Sequence, residues 1–230
     1  MANEFQQYVQ KTRLLVGDQT YALFNPTDVA LYINEARRQV ALEGQVVRVT
    51  ATNLQTTQGQ EVYPFADIDV SGFPGVAYVF DVGTIAIIWG TFQYVVQRTA
   101  FGTYQAKVRT YTSAYLGNPV IAAQVGDGAN ASMYLYPIPD QEYPMTWDCF
   151  CAPLDLSGTV GEIEAIPAPW TDAIPFYAAF QLLNSMQVST ASLEEMQLRT
   201  KQADRMFAQY QNFMRRARQF SQRVVVNSYY

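Results

Sequence analysis

TIAIIWGTFQYVVQR, residues 84–98, settles how the middle of this chain is built. Apolar side chains recur at every second position on both sides of Gly90-Thr91, the period of a half-buried strand. A glycine at a two-residue break between such runs marks a hairpin turn. The same alternation spreads outward. It occupies VVRVTATNL (46–54), EVYPF (61–65) and YPMTWDCFCA (143–152). VIAAQV (120–125) and SMYLYPI (132–138) flank Gly126-Asp127-Gly128-Ala129-Asn130, a second hairpin. AFGTYQAKVRTYTSAY (100–115) lacks the alternation and reads as a short helix. The middle is therefore a small antiparallel β domain, assigned to residues 45–165.

On either side the period changes. Phe5, Tyr8, Val9, Thr12, Leu15 and Val16 are spaced as one helix face, ended by Gly17-Asp18. A second helix follows Asn25-Pro26, with Thr27 as the expected N-cap. Its stripe is Val29, Tyr32, Ile33, Ala36 and Val40, and Gly44 is the expected stop. Pro167-Ala168-Pro169 closes the β region. Helix returns at Thr171-Asp172, with Pro175 accommodated in the first turn. A last helix is expected to open at Ser192, with Glu195 completing a capping box. Leu193, Met196, Thr200, Ala203, Phe207, Tyr210, Met214 and Ala217 then follow three-and-four steps, widened by Met206, Phe213 and Phe220. The fold class expected is α+β. Residues 1–44 and 166–220 form an antiparallel helix bundle, the β domain is inserted between them, and residues 221–230 form an extended C-terminal arm.

Composition narrows the function. Hydrophobic residues make up 49% and charged residues 15%, the balance of a core-bearing protein. Sixteen tyrosines and thirteen phenylalanines suit contact surfaces as well as cores. The start, MANEFQQYVQKTRLL, is not a secretory signal, and no apolar run reaches a membrane span, so a cytosolic origin without membrane contact is expected. The absence of histidine removes Ser-His and Cys-His pairs and His-based metal sites. No phosphate-binding glycine motif occurs; Gly126 and Gly128 belong to a turn. Glu162 with Glu164, or Asp140 with Glu142, resemble glycosidase carboxylates by residue type only. Asp67 and Asp69 lack a calcium-loop pattern. Cys149 and Cys151 read as small buried side chains. No enzyme activity, cofactor or metal is expected.

Charge is unevenly spread. Residues 1–198 hold eight basic and nineteen acidic side chains, net −11, whereas residues 199–230 hold seven and one, net +6. An acidic body opposes a duplex lying across it. The basic end, MRRARQFSQRVVVNSYY (214–230), fits docking on an acidic protein surface, or pairing of arginines with a helix C-terminal dipole. VVVNSYY fits an edge strand on the chain's own sheet, or a segment added to a partner.

Four stretches, YINEARRQVA (32–41), LGNPVIAA (116–123), MYLYPIPDQEYPMTWDC (133–149) and EAIPAPWTDAIPFYAAF (164–180), together resemble the head-to-tail adaptor, or connector, proteins of short-tailed bacteriophages. The resemblance implies a structural virion protein made in the host bacterial cytoplasm. It implies a ring, usually of twelve copies, below the portal protein at the head-tail interface. The ring would extend the DNA channel, pass the genome without sequence-specific binding, and present its far face to the tail nozzle or other tail proteins. On that reading residues 214–230 anchor the chain to the portal. Arg215, Arg216, Arg218 and Arg223 would meet portal carboxylates, and Val224, Val225, Val226, Tyr229 and Tyr230 would fill apolar grooves. These residue roles rest on composition and position. The alternative is a carbohydrate- or receptor-binding tail module, with Trp89, Phe92, Tyr94, Tyr134, Tyr136 and Trp147 stacking on sugars.

Overall fold

A computed structural model describes residues 4–20, 22–108, 115–186 and 193–226. The fold is mixed α+β, with five α-helices and several antiparallel sheet pairings among the described residues. The chain divides into two compact units, residues 1–47 with 153–230, and residues 48–152. No helix among the described residues is long and apolar enough to cross a membrane.

The first unit holds α1 (Glu4–Val16), α2 (Pro26–Gly44), α4 (Ile174–Met186) and α5 (Leu193–Val226). Helix α1 buries Phe5, Tyr8, Thr12 and Val16, four of the six expected positions, together with Arg13. The N-cap of α2 is Asn25, not Thr27: its side chain accepts from the Thr27 N–H at 3.1 Å, and Pro26 begins the helix, where its missing N–H costs nothing. Gly44 is the last helical residue, and Gln45 beyond it takes the left-handed turn at φ 50°. Gly44 is there for space. A Cβ on it would stand 3.0 Å from Val46 Cγ1 and 3.3 Å from the Ala217 Cβ of α5. Helix α4 packs against α1, α2 and α5. Its Phe180 stacks on Phe207 with ring centroids 4.7 Å apart, and its Tyr177 lies 4.6 Å from Tyr210.

The second unit contains β1 (Arg48–Gln55), β2 (Val62–Pro64), β3 (Val76–Trp89), β4 (Phe92–Val95), β5 (Gln97–Arg98), the short helix α3 (Phe101–Val108), β6 (Leu116–Gly117), β7 (Ile121–Val125), β8 (Ser132–Tyr136), β9 (Ile138–Pro139) and β10 (Pro144–Pro153), which ends just inside the first unit. One sheet runs β1-β10-β3-β4 and a second β2-β8-β7-β5. The β3–β4 hairpin closes with Trp89 opposite Phe92 and Gly90 at φ 62°, the conformation a two-residue turn demands. β7 and β8 form the second expected hairpin, Val125 facing Ser132. Two short pairings, β5 with β7 and β6 with β9, are parallel, so the unit is not antiparallel throughout. Two-residue strands carry no alternation from which their direction could be read. Trp147 fills the core, contacted edge-on by Tyr63 and Phe65 at 6.5 and 6.4 Å. Cys149 and Cys151 are fully buried, and burial, above all else, pushes both thiols up to about 12.

Two expectations need correction. Residues 153–165, read as the end of the β domain, belong to the helical unit. They are held there by polar groups, which a hydrophobic period does not register. The C-terminal arm is not extended over residues 221–226, because α5 continues to Val226. No glycine or proline occurs after Pro175, so nothing in the sequence stops the helix, and each added residue contributes another hydrogen bond. Three β-branched valines lower helix propensity only slightly. Ser192, Tyr229 and Tyr230 lie outside the described residues, as do residues 109–114 of the expected short helix.

Candidate docking site

Two buried charge networks fix the helical unit. Arg37, on the core face of α2, forms a two-pronged pair with Glu164, Nε to Oε2 at 2.8 Å and Nη2 to Oε1 at 2.9 Å. Its Nη1 donates to the Leu154 carbonyl at 2.6 Å and to Asn34 Oδ1 at 3.2 Å. Asn34 in turn donates to the carbonyl of Leu156 and accepts from its N–H, at 2.9 and 3.0 Å. Glu164 also accepts from the Tyr8 hydroxyl and the Ile166 N–H, both at 3.0 Å. Residues 154–166 are thereby latched to α2 through fully partnered charges. The sequence stretches 32–41 and 164–180 supply the two halves of this latch. Its signal was an arginine next to the apolar stripe of Val29, Ile33, Ala36 and Val40, at helical spacing from Ile33.

The second network joins Arg13 to Asp18, both buried. Burial works to raise the Asp18 pKa. The N–H groups of Leu23, Phe24 and Ala22 and the Arg13 charge outweigh it and hold the carboxyl below its ordinary value.

The last helix packs on α4 and α2. At 34 residues α5 is about 51 Å long, against about 20 Å for the 13 residues of α4. Ala203, Tyr210, Met214 and Ala217 are buried, and Phe207 is half-buried. Met196, expected in the core, is exposed, as are Leu198 and Phe220. Burial along the heptad is therefore concentrated between Ala203 and Ala217.

Arg215, Arg216 and Arg218 stand exposed on this helix beyond the buried Met214. Arg215 donates to Asn212 Oδ1 at 3.1 Å. Arg218 leans on α2, its Nε 3.1 Å from the Glu43 carbonyl and its Nη2 3.4 Å from the Glu43 carboxylate. A groove of about 640 Å³ opens here, with Glu43, Asn212, Met214, Arg215, Arg218 and Gln219 among its lining. In the packed part of α5, burial, then the Glu43 charge, pushes the Tyr210 hydroxyl far above its usual pKa. The chemistry on offer is recognition: two guanidinium forks and three side-chain amides beside one carboxylate, with Ala208 and Met214 as the apolar lining. Glu43 was not among the residues singled out by sequence, because its partner lies 175 positions away. Arg223, Val224, Val225 and Val226 extend the same helix, so no separate strand exists at those positions.

The six aromatic residues of the sugar-binding alternative do not form one exposed surface, although Trp89 and Phe92 face each other across the hairpin. Trp147 and Tyr136 are buried, Tyr94 and Tyr134 are partly covered, and only Trp89 and Phe92 are exposed.

Comparison with curated proteins found no match. A family model described as SU10 adaptor protein matches residues 3–227. With nearly its whole length matched, the chain belongs to the SU10 adaptor protein family, a family of phage adaptors.

Proposed function

We propose that this protein is a head-to-tail adaptor of the virion, that copies of it form a ring beneath the portal, and that the exposed end of α5 is what docks there. The observation that carries the docking assignment is the exposed basic stretch of α5 past the buried Met214. Arg215, Arg216 and Arg218 are exposed there, and the helix continues to Val226, carrying Arg223 on the same element. Family membership supports the adaptor role. The charge division supports the partner's character, since a strongly basic end on an acidic body fits an acidic protein surface. Arg218, already beside Glu43, would exchange one carboxylate for another on docking. Val224, Val225, Val226, Tyr229 and Tyr230 would supply apolar contact.

On this proposal the helices of both chain ends form one antiparallel bundle and twelve copies complete the ring. The acidic body keeps passing DNA from adhering, and the far face receives the tail nozzle or other tail proteins. The test is the mass of the protein alone and mixed with isolated portal rings. The expected result is stoichiometric loading, one copy per portal subunit. A protein that leaves portal rings bare would overturn the assignment.

A further inference from the structure

We infer that Glu43 is an internal competitor for the partner of α5: its carboxylate holds the Arg218 guanidinium in the free protein, and a carboxylate on an acidic segment of the partner takes its place on docking. The inference rests on the docking reading above and adds a residue that restrains how tightly the partner is held. Arg37 and Arg218 each reach a glutamate, and the two pairs differ in geometry and burial. The Arg37–Glu164 pair is two-pronged, at 2.8 and 2.9 Å, and almost wholly buried. Arg218 Nη2 stands 3.4 Å from the Glu43 carboxylate, beyond the roughly 2.7–2.9 Å of a charge-assisted bond. The Arg218 side chain is 60% exposed and that of Glu43 31%. An incoming carboxylate therefore reaches this guanidinium from solvent, with no buried charge to uncover.

The position of Glu43 on α2 points the same way. It lies in the last turn, where the partial negative charge of a helix end disfavours a carboxylate, and no basic residue of that turn offsets it. An acid there does not serve α2 itself. It is nonetheless held in place. Gln39, one turn earlier, donates to Glu43 Oε1, while Oε2 faces Arg218. The close approach of α2 to α5 at Gly44, where a Cβ would stand 3.3 Å from that of Ala217, keeps Glu43 next to Arg218. The Arg218 Nε donates to the Glu43 carbonyl at 3.1 Å, a bond that does not depend on the carboxylate and keeps the guanidinium at this spot when carboxylates exchange. Charge complementarity names the occupant. Among the described residues that line the groove of about 640 Å³, Glu43 is the one acid, set among Arg215, Arg218 and the amides of Gln211, Asn212 and Gln219. With residues 199–230 at net +6, an acidic segment finds opposite charge there and a basic one is repelled.

The test is titration of isolated portal rings with the full chain at one low salt concentration. The parent, Glu43→Gln, Arg218→Ala and the double variant are compared, with melting and retardation of free duplex measured alongside. Glu43→Gln should melt no lower than the parent and bind the rings about two- to fivefold more tightly, the worth of one part-exposed ion pair. In the Arg218→Ala background the gain should disappear, because the competitor then has no guanidinium to hold. An unchanged or weaker Kd for Glu43→Gln overturns the inference. So does a large fall in its melting temperature, which would make Glu43 a brace of the helix pair. An equal gain in both backgrounds also overturns it, since that is plain repulsion between Glu43 and the partner's acids. Tighter binding of Glu43→Gln to duplex, with no gain on portal rings, would give the site to a phosphate. A parent chain that does not join the rings overturns both the docking reading and the inference, whereas a parent that joins while Glu43→Gln gains nothing leaves the docking reading standing.

Discussion

Arg37 and Glu164 show how a single pair holds distant parts of a chain. Both are almost wholly buried, and each prong of the guanidinium is matched. A pair of this kind gains little over an apolar replacement of both members, but removing one charge strands the other. Glu164→Gln keeps the volume and deletes the charge, and should lower stability by about 3–5 kcal/mol in urea unfolding. A loss within about 0.5 kcal/mol, the range for surface sites, would mean the latch is not formed. Asp18 makes a pH-dependent contribution. Its folded pKa lies below the unfolded value of about 3.9, so the stability it adds is present above that value and disappears as pH falls through the folded one. The stability difference between the parent chain and Asp18→Asn should therefore be full at neutral pH and shrink steadily below about pH 4. A difference independent of pH would contradict the ionised, hydrogen-bonded carboxylate. The pairing of Arg37 with Glu164 was not legible from the sequence, because they are 127 positions apart and polar partners have no period.

Helices and strands were more readable where a period was long and its ends were marked. The hairpin at Gly90-Thr91, the hairpin at residues 126–130 and the two N-terminal helices follow from alternation, three-and-four spacing and turn residues. The errors fall where a different force decides. Gly44 was read as a stop, yet it is kept small by Ala217 across the helix pair. Residues 221–226 were read as the start of an extended arm because valine favours extended backbone, but an unbroken helix already led into them. Met196 kept the heptad rhythm, yet it is exposed. The overhang of α5 yields a prediction at this scale. Packing of the described residues ends near Ala217, and Phe220, though 6.2 Å from the Trp170 ring, is exposed. Deleting residues 221–230 should leave the melting temperature unchanged and abolish joining to portal rings. A large fall in melting temperature would show that the helix end belongs to the internal packing.

At the scale of the whole molecule, charge is divided between an acidic body and a basic C-terminal end. On the proposed function the body would keep DNA from adhering and the basic end of α5 would meet an acidic partner. The last of these is the central claim, and reversal of Arg215 and Arg216 tests it most directly. Both side chains are exposed, so the double variant Arg215→Glu/Arg216→Glu should melt with the parent chain. The decisive measurement is co-sedimentation of each protein with portal rings as salt is raised. The parent should join the rings at low salt and weaken as salt shortens the Debye length, about 8 Å at physiological ionic strength. The double variant should stay in the supernatant throughout, because like charges now face each other across the interface. Joining by the double variant at the parent's level, together with retardation of free duplex by the parent and not by the variant, would contradict the account and assign the arginines to DNA.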